Sequence, residues 1–483
     1  MQCSLWLRSF PQFFVGLVFT ILASLGHAAE PHKGFSGDWV GTLNASPAVK
    51  LPLVIHLEQT ADGWQGSLDS PAQGAMGIPM SAVTVDGQRL QFEIAVIKAR
   101  YQGTLDPASG AVRGTFTQGQ SFELDFTRQT KQAAQANLPV RPQTPVAPFP
   151  YSEEEVQVVN AAADITLAGT LTRPAGAIKA TAVLITGSGP QNRDEFIAGH
   201  KPFAVLADHL SRNGFAVLRL DDRGVGKSTG EFNTATSEDF VGDISAAVDY
   251  LQGREDIPSH TIGLLGHSEG GMIAPMVARQ RDDLAFIIML AAPGVDIVEM
   301  YIEQRGKILG ASGVSPASLQ KIREIDHVVF AQINQLPEGQ ALPAATLDKL
   351  REIARVAGMT DPDGIEQQVA ALAEFYSSPW FRYFLKFDPA PYLSELRTPV
   401  LALNGSLDMQ VVAQQNLTGI RNSLRASAHQ DFEVVELKGL NHLFQTAQTG
   451  AITEYAVIEE TMAPKALNYM SAWLDDRFAE QAR

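Results

Sequence analysis

From about residue 155 onward, short apolar runs alternate with amphipathic stretches, and this alternation limits the fold more tightly than anything else in the chain. "ATAVLITGSG" reads as a buried strand, "FAVLADHLSRNG" as an amphipathic helix closed by glycine, and "FAVLRLDDRG" as another strand. "SEDFVGDISAAVDYLQGR" has helical spacing, "TIGLLGHS" is a strand, "GGMIAPMVARQR" a helix, and "AFIIMLAAPG" and "PVLALNGSLD" are further strands. Strands alternating with helices imply a parallel sheet with helices on both faces. Between Gly294 and about Leu396 the strands stop. There "ASLQKIREIDHVVFAQI", "ATLDKLREIARVAG" and "GIEQQVAALAEFYSS" carry helical spacing. Residues from about 295 to 395 are therefore expected to form a helical cap, inserted between two sheet strands and large enough to cover their tips.

Upstream the texture changes. Residues 30–128 hold the short runs "GDWVGTL", "LPLVIHLEQT", "GWQGSLDS", "LQFEIAVI", "ARYQGTLD" and "SFELDFTR", broken by Gly, Asp, Pro and Ser. Such spacing points to a small antiparallel sandwich or barrel. Residues 129–150, "QTKQAAQANLPVRPQTPVAPFP", cannot build a core and read as a semi-extended linker. The α/β part then occupies 151–483. A chain of 483 residues suits this division, being too long for one ordinary core.

The first 29 residues have one basic residue, Arg8, an apolar run from Phe13 to Leu25, and small residues at Gly26, Ala28 and Ala29. That is the layout of a secretory signal peptide, and cleavage is expected after Ala28 or Ala29. The run is shorter than the roughly 20 residues of a membrane-spanning helix, and no later segment of the sequence is apolar and long enough to span. The expectation is an exported protein, periplasmic or extracellular. Cys3, the single cysteine, falls in this leader, so the mature chain would have no disulfide, thiol nucleophile or cysteine metal site. A formal charge of −16 argues against a nucleic-acid partner.

The chemistry concentrates at "LLGHSEGG", where Gly266-His267-Ser268-Glu269-Gly270 follows an apolar strand and precedes a helix. A strand turning sharply into a helix exposes the serine hydroxyl, and glycines two before and two after leave room for the turn. A serine needs a base, and the base an orienting acid. Asp408 stands just past the strand of "PVLALNGSLDMQVV", and His442 stands after "DFEVVELKG", in the order Ser, acid, His. The other histidines are poorer bases by position: His267 is expected to point away from the nucleophile, His260 lies at the wrong strand end, His327 in the cap, and His429 before the last strand. Two backbone N–H groups should bind the oxyanion, one from Glu269 at the helix start. The other should come from Ser188 or Gly189 in "ITGSGPQNRDE", whose "QNRDE" could line the site or face solvent.

"DDRGVGKSTG" ends in Gly226-Lys227-Ser228, the tail of a phosphate-binding loop. The full pattern needs a glycine where Asp221 stands, so no nucleotide is expected. Together "TGSGPQNRDE", "DDRGVGKSTG", "GHSEGG", "NGSLDMQV" and "GLNHLFQ" resemble the α/β-hydrolases, especially secreted bacterial esterases near the serine aminopeptidase-like branch. The resemblance covers about 155–483 and leaves the β-domain aside. It implies that Asp221, Arg223, Gly224, Gly226 and Ser228 form a structured turn bracing the site, with Lys227 in a free position. Thr186-Gly187 departs from the His-Gly that many relatives carry. The expected activity is carboxylic-ester hydrolysis of a small molecule by Ser268, His442 and Asp408, requiring no metal or organic cofactor. An aminopeptidase is the alternative within enzymes, although prolyl-type relatives usually carry G-G-S-W-G at the elbow. A non-catalytic binding protein on the same frame is the alternative outside them.

Overall fold

The computed structural model describes residues 34–46, 49–60, 63–70, 75–97, 99–118, 120–128, 141–337, 339–426 and 429–479. The expected leader and residues 129–140 lie outside these. Two sheets organise the described residues.

The first is antiparallel throughout and comprises β1 (Gly37–Ser46), β2 (Val49–Thr60), β3 (Gly63–Ser70), β4 (Ala75–Pro79), β5 (Ala82–Asp86), β6 (Arg89–Ile94), β7 (Ala99–Leu105), β8 (Ala111–Gln118) and β9 (Gln120–Arg128). Neighbours follow the order β4-β3-β2-β1-β9-β8-β7-β6-β5, so the row ends on two strands that are consecutive in the chain. At their joint, the Met80 N–H donates to the Gly66 carbonyl on β3 and the Ser81 N–H to the Glu93 carbonyl on β6. The meander thus closes on itself as a barrel, which leaves few free strand edges. Strict alternation shows in β6, where Leu90, Phe92 and Ile94 face inward. Trp39, Phe92, Tyr101, Phe116 and Phe126 fill the interior. The Tyr101 hydroxyl is satisfied there by the Val112 and Leu124 carbonyls. β4, β5 and β8 escape the sequence reading because "AVTVD" and "AVRGTFTQ" offer too few large apolar residues to stand out.

The second sheet and its helices comprise β10 (Tyr151–Asn160), β11 (Ile165–Pro174), β12 (Thr181–Ile185), α1 (Pro202–Arg212), β13 (Ala216–Leu220), α2 (Ser237–Gln252), β14 (Ile262–His267), α3 (Glu269–Gln280) and β15 (Ile287–Leu290). Then come α4 (Ile297–Ala311), α5 (Pro316–Gln335), α6 (Ala344–Val356), α7 (Pro362–Ser377), α8 (Pro379–Phe384) and α9 (Ala390–Glu395). β16 (Val400–Gly405), α10 (Ala413–Ala426), β17 (Phe432–Leu437) and α11 (Pro464–Phe478) complete it. The strand order is β10-β11-β13-β12-β14-β15-β16-β17. β10, β11 and β13 pair antiparallel, and every pairing from β13 onward is parallel. Helices α2, α3 and α10 pack on one face and α1 and α11 on the other. The hairpin β10–β11 is hidden in sequence because "YSEEEVQVVN" buries only one side, with Val156 and Val158 inside and three glutamates among its exposed and half-buried positions.

Helices α4 to α9 lie between β15 and β16 and are termed the cap. Asp296, Ser315, Asp361 and Ser378 each accept a first-turn amide and so start α4, α5, α7 and α8. The cap has its own core around Phe330, Tyr376 and Phe381, pinned by the buried pair Arg305–Asp326 at 2.9 Å.

Residues 141–150 depart from the linker expectation. The Arg141 guanidinium donates to the carbonyls of Ala198, Ala456 and Ile458 at 2.9, 2.7 and 2.5 Å. The Gln143 carboxamide oxygen accepts the amides of Thr461 and Met462, and its nitrogen donates to the Met462 carbonyl. Prolines kept this stretch from secondary structure without keeping it from the α/β body.

Candidate active site

β14 runs into α3 through Ser268, whose φ of 53° lies in the left-handed region. A non-glycine residue there costs about 1–3 kcal/mol and persists only where its surroundings impose it. Here the Ser268 N–H donates to the Leu290 carbonyl at 2.8 Å, and its own carbonyl accepts from the Gly271 N–H at 3.0 Å. A Cβ at Gly266 would stand 2.0 Å from the Gly270 oxygen, and one at Gly270 would stand 2.1 Å from the Ile185 oxygen. Both flanking glycines are demanded by close approach.

Asp408 follows β16 and His442 follows β17, and both are buried. The His442 Nδ1–H donates to Asp408 Oδ2 at 2.7 Å. Asp408 Oδ1 accepts the amides of Gln410 and Val411 at 2.7 and 2.9 Å, which fixes the carboxylate. With Nδ1 committed to the acid, Nε2 is the basic nitrogen. The His442 ring lies 4.8 Å, centre to centre, from that of His267, beside the elbow.

The loop after β12 passes directly beside Ser268: a Cβ on Gly187 would lie 3.3 Å from that of Ser268. The Gly187 N–H is already taken by Glu195 Oε1 at 2.8 Å. Ser188 and Gly189 follow it, Gly189 at φ 94°. Glu269 is the first residue of α3, where helical N–H groups have no partner within the helix. Its side chain is buried and engaged, accepting from the Ser237 hydroxyl at 2.6 Å, the cap's Trp380 Nε1 at 2.8 Å, and the Ser188 side chain. Burial pushes this carboxyl above the usual range.

The charges of "QNRDE" turn to partners within the fold, while Asn192 is exposed. Arg193 clasps Asp221 through Nε, Nη2 and its own amide, Asp194 pairs with Arg219, and Glu195 pairs with His267. The turn after β13 braces this loop: Asp222 accepts from the Thr186 hydroxyl at 2.7 Å and the Gln191 amide at 2.8 Å. Arg223 forks onto Asp243 of α2, and the Ser228 hydroxyl donates to the Asp221 carbonyl. A Cβ at Gly226 would fall 2.5 Å from an Asp221 carboxylate oxygen, so that side chain fills the turn's interior. Lys227 stands outside on the surface, 3.3 Å from Glu155. Among the other histidines, His327 lies on α5 near Glu299, and His429 meets the Thr398 carbonyl before β17. His260 lies on the turn leading into β14.

Sequence reasoning missed Glu195, Arg193, Asp222 and Trp380. His267, expected to point away from the nucleophile, lies between Glu195 and the main-chain oxygen of His442. These residues meet partners far along the chain, such as Glu195 and His267, and no local pattern marks them. Among the described residues no His/Asp/Glu cluster is suited to a metal, and no helix is long and apolar enough to cross a membrane.

Residues 200–327 match the family model described as serine aminopeptidase, S33. Esterase EstD of Thermotoga maritima is 26% identical over 300 residues, which are 62% of this chain and 61% of that protein. Among solved structures, an esterase of Pyrococcus furiosus aligns at 15% identity and TM-score 0.42, covering 71% of this chain and 98% of its own. A proline iminopeptidase of Mycobacterium smegmatis aligns at 16% and 0.42, covering 68% and 100%. The strand order and the strained serine between β14 and α3 are those of the α/β-hydrolase fold, and the chain is similar to the S33 family model over residues 200–327 and to EstD.

Proposed function

We propose that the protein hydrolyses carboxylic esters of small molecules, with Ser268 as nucleophile, His442 as base and Asp408 as the acid that orients it. The observation that carries this reading is the buried 2.7 Å bond from His442 Nδ1 to Asp408, formed beside the strained Ser268 turn. Ser268 Oγ bonds to the acyl carbon as its proton passes to His442 Nε2, and the carbonyl electrons move onto oxygen. The oxyanion is met by the N–H of Glu269 and by that of Ser188 or Gly189. Collapse breaks the bond to the alkoxy oxygen, which leaves with the proton from His442. Water then repeats the sequence on the acyl-serine and frees the acid. Asp408 holds the ring through Nδ1 and stabilises the imidazolium.

The description of the matched family favours a second reading, an aminopeptidase. Such an enzyme needs a carboxylate free to hold the substrate's α-ammonium. Glu269, the acid next to Ser268, already accepts from Ser237, Trp380 and Ser188, which weighs toward esters. Side-by-side turnover of p-nitrophenyl butyrate and a series of amino-acid p-nitroanilides separates the two. Ester turnover with anilides untouched is expected, and the reverse preference would replace this reading with the second. Failure of Ser268 to react with a fluorophosphonate would point to a non-catalytic role.

A further inference from the structure

A buried ion pair lies behind the elbow, and the proposed reaction does not use it. His267 and Glu195 are 7% and 4% exposed. His267 Nδ1 lies 2.8 Å from Glu195 Oε1, and its Nε2 lies 3.0 Å from the main-chain oxygen of His442. A carboxylate and a carbonyl can only accept, so each ring nitrogen donates and the ring is an imidazolium. Burial opposes that charge and the Glu195 carboxylate outweighs it, raising the group above its ordinary value. The same Oε1 accepts the Gly187 N–H at 2.8 Å, and Glu195 is itself held at φ 50°. Such backbone strain persists where several contacts over-determine it.

Three segments therefore meet on one pair: the oxyanion loop at Gly187, the elbow at His267, and the base loop at His442. We propose that Glu195 and a charged His267 are positioning residues that hold the base loop and the oxyanion loop in register around Ser268, with the imidazolium opposing a second charge on His442. This rests on Ser268 and His442 being nucleophile and base. The groups that face His267 are Glu195 from the loop after β12 and His442 with Asp408 behind it, while the Phe444 ring closes a further side. Asp222 is the acid next beyond Glu195, and Glu269 the one beyond that.

The charges give a test that a merely structural role would not pass. Removing the His267 cation leaves the Glu195 carboxylate facing the base and favours protonated His442. The base must be neutral to accept the serine proton, so the acid limb of the kcat/KM profile must move to higher pH. Removing the Glu195 charge lets burial neutralise His267, so no charge of either sign remains and the limb rises less than in His267→Gln.

The experiment measures p-nitrophenyl acetate hydrolysis by the full chain from pH 5 to 9, in wild type, His267→Gln, Glu195→Gln and the double variant. For His267→Gln the limb should rise by about one pH unit, within the range of a nearby-charge effect. Each single variant should lose about 10–100-fold in kcat with KM within about threefold, as for lost orientation. The double variant should match Glu195→Gln in its limb, with losses less than multiplicative because the two act as a unit. Four coincident limbs, or single variants within threefold of wild type, overturn the proposal.

If the variants fail to fold, ¹⁵N spectra of the wild-type imidazoles decide: both His267 nitrogens should be protonated at pH 8, and a neutral ring overturns it. Ser268→Ala separates the layers. An active Ser268→Ala protein removes the underlying reading, whereas an inactive one with coincident limbs removes the positioning role alone.

Discussion

Ser268 joins a strained backbone to a half-buried side chain with little packing to lose. Ser268→Ala should therefore fold normally and lose on the order of 10⁶ in kcat on a p-nitrophenyl ester, the scale of other triad nucleophiles. Retention of a few per cent of activity in clean protein would move the nucleophile elsewhere. Asp408→Asn keeps the shape but offers the His442 Nδ1–H a group that can also donate, so the wrong tautomer competes. A loss of about 10⁴ is the precedent, and near-normal turnover by this variant would mean that another acid orients the base. The positions proposed for the triad stand out in the sequence because sterics and chain order constrain them: the glycines around Ser268 are fixed by 2.0 and 2.1 Å approaches, and Asp408 and His442 follow identifiable strands. Glu195 was not legible. Its partner is 72 residues away and its conformation is left-handed, and neither fact leaves a trace in "QNRDE".

At the scale of elements, buried parallel strands such as β14 and β16 announce themselves as continuous apolar runs, and the cap helices by their 3.6-residue period. A segment held by side chains to main-chain carbonyls has no period to read, which is why 141–150 passed for linker. Arg141 ties the loop at Ala198, just beyond Glu195, to the stretch 456–458 that follows the His442 loop. His200 extends this seam, lying between the Thr461 hydroxyl and the Tyr455 carbonyl, and burial lowers its pKa to about 4 so that it stays neutral. Arg141→Ala should lower stability by about 2–4 kcal/mol, because it strips a donor from three carbonyls. A fragment of residues 141–483 should hydrolyse small esters like the full chain, while one of residues 151–483 should unfold at lower denaturant and turn over more slowly. Equal urea midpoints and rates for the two fragments would show that the seam contributes nothing.

Across the whole molecule, the barrel and the α/β body have separate apolar cores that share no residue, so heating should produce two calorimetric transitions. A charge outside the barrel core allows the first sheet's transition to be recognised. His56 on β2 lies 2.8 Å from Asp69 on β3 and 2.8 Å from Asp38 on β1, one acid at each ring nitrogen. The hydrogen bond to Asp69 raises its pKa most; burial opposes this, Asp38 adds to it, and the result is about 9. A group raised on folding contributes its full stabilisation below its unfolded value near 6.5, and loses it as pH climbs through the folded value. The side chain is 41% exposed, and solvent screening limits the contribution to about 1 kcal/mol. The barrel transition should therefore fall between about pH 6.5 and 9.5 relative to His56→Asn, whose carboxamide carries no charge at any pH in that range. The variant should melt lower than wild type at pH 6 and draw level near pH 9.5, with the α/β transition unmoved in both. A constant gap between the two proteins across that range would mean that His56 contributes shape and hydrogen bonds but no charge.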